Sequence, residues 1–124
     1  MGTQAELNVL GAMMNDRACL YEALSEIDGR FFTSNETAEV FECIDGLANK
    51  NNVNRTVVER LLNSPKQKAL IQSADSAFVN ADAFQLDLQD IKKTYIRKQL
   101  KNSLEKAQRE IGEGAEPEKI ISMI

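Results

Sequence analysis

Between Phe84 and Ile111 apolar residues recur every three or four positions, but the side they mark changes partway along. At about 100° per residue of α-helix, Leu88, Ile91 and Tyr95 stay within roughly 40° of Phe84. Ile96, Leu100, Leu104, Ala107 and Ile111 fall between about 120° and 200° on the same scale, with Leu86 the only early residue on that side. A straight helix of this pattern cannot bury both halves against one core. Either it kinks at Tyr95-Ile96, or its second half leaves the globule and packs on something else.

Punctuation earlier in the chain predicts short helices and no strands. Thr3 and Glu6 have capping-box spacing and are expected to start a first helix. A second is expected near 17–27, with Ala18, Leu20, Tyr21, Leu24 and Ile27 as its apolar set and Asp28-Gly29 as its stop. Thr33 and Glu36 repeat the capping-box spacing ahead of Val40, Phe41, Ile44, Leu47 and Ala48. Asn54 can cap a fourth helix carrying Val57, Val58, Leu61 and Leu62, which Asn63-Ser64-Pro65 ends. A short fifth helix is expected at 66–74, and the long sixth starts after Asn80. Beyond it, Gly112 to Gly114 reads as a turn and Pro117 as the start of another helix, so the two would form a hairpin with a truncated second arm.

The stretch AELNVLGAMM, residues 5–14, is apolar around most of a helix, with a narrow polar strip at Asn8, Gly11 and Asn15. Leu7, Leu10 and Met14 are expected to face the bundle. Val9 and Met13 would pack against a second element, and Gly11 and Ala12 would let a neighbouring backbone approach closely. Such a helix is either central in the bundle or partly a partner surface, for which methionine suits adaptable contacts.

Composition limits the chemistry. There is no histidine, which removes the commonest general base, the Ser-His and Cys-His nucleophile systems and every His-containing zinc site. Cys19 and Cys43 read as buried reduced thiols. Carboxylate pairs such as Glu36-Glu39-Glu42 and Asp87-Asp90 fit solvent faces of helices, and neither a P-loop nor a GxGxxG is present. No catalytic, cofactor-binding or metal residues are assigned, and no cofactor is expected. No apolar run is long enough to span a membrane, and a cytoplasmic location is the default. Residues 1–91 hold seven basic and fourteen acidic side chains, whereas 92–124 hold eight basic and five acidic ones. Lys93, Arg97 and Lys101 lie four apart on one helix face, as candidate partner or phosphate contacts or as a plain solvated face.

The stretch Ala5 to Asp16 resembles the opening of the N-terminal domain of DnaB-family replicative DNA helicases, with Ala5, Glu6, Val9, Leu10, Gly11, Met14 and Asp16 in register. Phe31-Phe32, Val40-Phe41, Ile44, Leu47 and Val53 resemble the family's later aromatic and apolar positions, and Asn80 and the run Asp90-Ile91 to Leu100 look like its approach to a helical hairpin. The chain departs from the pattern at Thr37, where many members have His, at Asn54, where Asp is usual, and at Asn15, where an apolar residue is common. These departures mark it as divergent and leave a phage origin open.

The resemblance implies an all-α fold, a globular helical bundle at 1–92 and a projecting helical hairpin at 93–124 that leads to a missing linker and ATPase domain. It implies a non-catalytic collar of a hexameric helicase, with dimers made through the hairpin, a trimer of dimers in the full enzyme, contacts to primase and helicase loader, and DNA met only through the full-length assembly. Ile96, Leu100, Leu104 and Ile111 are the expected self-association residues. Two alternatives stay open: the helicase-binding domain of a primase or a small replication adaptor, and a nucleic-acid-binding module using Lys93, Arg97 and Lys101.

Overall fold

The computed structural model describes residues 2–51, 53–62, 64–78 and 80–112. They form six α-helices, α1 (Gly2–Asn15), α2 (Arg17–Glu26), α3 (Asn35–Ala48), α4 (Arg55–Leu61), α5 (Pro65–Ala77) and α6 (Ala81–Gly112), with one 3-10 turn at Gly29–Phe31. Among the described residues there is no strand, and no helix is long and apolar enough to cross a membrane. The chain divides into two compact units, Met1–Lys92 and Lys93–Ile124. The expected second arm of the hairpin lies outside the described residues.

Side-chain caps set most helix starts. Asp16 is the single residue between α1 and α2, and its Oδ1 accepts the Cys19 N–H at 3.1 Å. Asn54 caps α4 through the Val57 N–H at 3.0 Å, and Asn80 caps α6 through Ala83 at 2.8 Å. Ser64 caps α5 through Gln67 at 3.2 Å, with Pro65 at the first position, where its missing N–H costs nothing. From there α5 runs to Ala77, three residues past the expected end, and buries Ile71 and Ala74.

Both expected capping boxes are corrected. Helix α1 begins at Gly2, which places Thr3 inside it, and Glu6 turns inward. Helix α3 is capped by Ser34, whose Oγ accepts the Thr37 N–H at 3.2 Å, while Glu36 pairs with Lys66 at 2.7 Å. Thr33 is unavailable for capping because its N–H and hydroxyl both donate to Glu6, at 2.9 and 2.8 Å.

Helix α1 is central in the first unit and packs on α5, α2 and α3. Val9, Leu10 and Ala12 are fully buried and Met13 nearly so, whereas Leu7, expected to face inward, is half-buried. The polar strip is a seam between helices. Asn8 donates to Asp87 of α6 and Asn15 to Asp75 of α5, both at 2.9 Å. Gly11 sits where α5 crosses: a Cβ there would overlap the Ala74 carbonyl oxygen and lie 2.9 Å from its carbon. In α2 the buried set is Cys19, Leu20 and Ala23, followed by Ile27, while Ala18 and Tyr21, expected inside, are exposed. Phe32 stacks at a tilt on Phe41 with ring centroids 5.1 Å apart, which ties the 3-10 turn to α3. Leu61, expected on the inner face of α4, is exposed.

Candidate interaction surface

Helix α6 is continuous through the change of phase at Tyr95-Ile96. Its first part belongs to the first unit, where Phe84, Leu88 and Ile91 are at most 2% exposed. Asp87 of this part holds Asn8, and Lys92 pairs with Glu26 at 2.8 Å. Gln85 donates to Glu22.

In the second unit the same helix carries Ile96, Leu100, Leu104 and Ile111 at 62, 52, 46 and 60% exposure. Ala107, which shares their side, is buried, and Tyr95 is half-buried. Lys93, Arg97 and Lys101 are exposed, and among the described residues none of them is in an ion pair. All seven residues singled out from the sequence thus lie on this half of α6, the apolar ones as a stripe, Lys93 in line with it and Arg97 and Lys101 along its edge. Such a surface offers apolar and cationic side chains to solvent. It has no group placed for covalent or acid-base chemistry.

Among the described residues no three His, Cys, Asp or Glu side chains come together to hold a metal ion. Both cysteines are free. Burial pushes the Cys19 thiol up to about 11, helped by the nearby Asp16 and Glu22 carboxylates, and burial also raises Cys43. Neither thiol is activated at neutral pH.

One group escaped the sequence reading. Glu6 is 1% exposed and receives three donors, the Thr33 N–H, the Thr33 hydroxyl and, at 3.1 Å, the Thr37 hydroxyl. A carboxyl group is tolerated inside a protein only when its oxygens are satisfied in this way. The node clamps α1 to the start of α3 across 27 to 31 residues of sequence. Its signal in the sequence is faint: an acidic residue in an otherwise apolar run, with capping-type residues far downstream. Thr37 is one of the departures from the helicase pattern. Its hydroxyl donates to Glu6.

No curated protein and no solved structure matches the chain. The family model for the DnaB-like helicase N terminal domain matches residues 2–85, well over half of its length. The matched stretch ends before Lys93, so the exposed half of α6 lies beyond it. Within it the motif residues have structural roles: Val9 and Leu10 fill the core, Gly11 admits α5, Glu6 clamps α3 and Asp16 caps α2. The chain therefore belongs to the DnaB-like helicase N-terminal domain family, a non-catalytic domain used by helicases for oligomerisation and interaction.

Proposed function

We propose that this chain is part of the N-terminal collar of a replicative hexameric helicase, with 1–92 as its globular body and 93–124 as its association arm. Copies pair through the second half of α6, and the assembled face receives primase or the helicase loader in the cytoplasm. The observation that carries this reading is the exposed stripe Ile96, Leu100, Leu104 and Ile111 in a chain of this family. Each such side chain left in water forgoes about 1.5 to 3 kcal/mol of burial. A stripe on one helix face can cover itself by two-fold pairing with a second copy, which closes the assembly at a dimer. Three dimers then make the ring. ATP hydrolysis and strand separation belong to a separate motor domain.

The partner half of the reading is tested by calorimetric titration of the folded chain with the primase and with the loader of its own replication system. Saturable heat with at least one of them is expected. No heat from either contradicts the assignment.

A further inference from the structure

Helix α1 ends at a cavity. The single-residue joint at Asp16 sets the end of α1 against the start of α2, and the turn after α3, where Asn51 takes a left-handed φ of 57°, forms a third wall. The enclosed space is about 180 Å³. Met13, Met14 and Leu20, at most 8% exposed, line its depth together with the half-buried Val53. Arg17, Tyr21 and Asn51 stand at its mouth, where the Arg17 guanidinium donates to Asn51 Oδ1 at 3.1 Å and so bridges α2 to the turn.

Size and chemistry select the occupant. Sites for cofactors and other small ligands run to about 300 to 1,000 Å³, so this smaller one suits a single side chain. Methionine, tyrosine and arginine are the residue types that protein interfaces enrich, and flexible thioethers adapt to the shape of what enters. Tyr21 is 48% exposed, and among the described residues its hydroxyl has no hydrogen-bond partner. Arg17 is exposed and in no ion pair among the described residues, and its bond to Asn51 leaves most of its five N–H donors unused. Asp16 is the one carboxylate on the described lining, and its Oδ1 is committed to the Cys19 N–H. Lys50, next to Asn51, adds a second exposed cation. The mouth therefore offers free donors above an apolar floor, and a carboxylate complements them.

We propose that this cavity is an anchor site for a protein partner, which inserts one side chain of leucine or phenylalanine size and sets an adjacent carboxylate against Arg17. This goes beyond the collar reading and does not rest on pairing through α6, since the lining residues lie in the first unit. A basic segment drawn to Asp16 is the competing occupant, and the test separates the two.

The test is an NMR titration of the ¹⁵N-labelled 124-residue chain with the peptide acetyl-Asp-Leu-Asp-amide. Saturable shifts are expected at the amides of Met14, Arg17, Tyr21 and Asn51, with a dissociation constant on the order of millimolar, as suits a ligand with one anchor. Acetyl-Asp-Ala-Asp-amide should bind about tenfold more weakly or worse, because it leaves the floor unfilled. Acetyl-Lys-Leu-Lys-amide should bind about threefold more weakly, the size of effect that a solvent-exposed charge contact gives. Arg17→Glu, a change at an exposed position, should keep the thermal melt and reverse the order of the two leucine peptides. The proposal is overturned by no saturable shift at these amides, by equal binding of the leucine and alanine peptides, or by an Arg17→Glu chain that keeps the wild-type order.

Discussion

Helix α6 carries two apolar stripes of similar composition with opposite fates. Phe84, Leu88 and Ile91 are at most 2% exposed, while Ile96, Leu100, Leu104 and Ile111 are 46% exposed or more. Hydrophobicity does not separate them, since both runs are spaced three and four apart and both are dominated by aliphatic side chains. The phase of the repeat does. The first stripe shares its side of the helix with Asp87, which reaches Asn8 of α1, whereas the second is bordered by cations with no carboxylate partner among the described residues. One continuous helix thus buries one stripe in the fold and leaves the other exposed.

The sharpest way to break that comparison is to truncate one leucine in each setting. Leu88→Ala in the buried stripe of α6 should cost about 2 to 5 kcal/mol in a urea melt, because it removes core contacts and leaves a cavity. Leu100→Ala should stay within about 0.5 kcal/mol when measured on monomer at low concentration. Equal losses would mean that the stripe is part of the folded core.

Gly11→Ala comes next. Alanine favours a helix over glycine by about 1 kcal/mol, yet here its Cβ meets the backbone of Ala74, which no rotamer change can relieve. A net loss of about 1 to 3 kcal/mol is expected, typical of overpacking. A thermal midpoint that rises would show that α1 and α5 do not cross this closely.

The Glu6 node gives a smaller coupled effect. Glu6→Ala should cost about 1 to 3 kcal/mol by stranding the Thr33 and Thr37 donors, and Thr37→Ala about 1 kcal/mol. Combined, the two should fall short of their sum by about 0.5 to 1 kcal/mol. Strict additivity would mean that Glu6 and Thr37 act separately.

The sequence was most informative where the physics is local. Asn54 and Asn80 act within one turn of chain, and each starts the helix expected of it, while Ser64-Pro65, read as the stop of the fourth helix, also starts the fifth. The phase change in α6 is legible for the same reason, since helix geometry alone converts spacing into sides. Long-range contacts were not legible. Thr33 has the composition of a cap, but Glu6 claims it from 27 residues away, and the cap passes to Ser34. Asn8 and Asn15 were legible only as a narrow polar strip, because nothing nearby reveals Asp87 or Asp75 as their partners. Gly11 announced a close crossing without saying which helix would cross. Of the exposed stripe, the sequence marked the residues but not their accessibility, which depends on what packs around them.

The central claim is that the exposed stripe on α6 pairs with a second copy, and sedimentation across a wide concentration range tests it most directly. The wild-type chain should shift from monomer to dimer, with a dissociation constant on the order of micromolar, about −8 kcal/mol. Leu100→Asp, Leu104→Asp should remain monomeric with its melt unchanged. A wild type still monomeric at hundreds of micromolar, roughly −5 kcal/mol or weaker, contradicts the account, and so does a double variant that dimerises as well as the wild type.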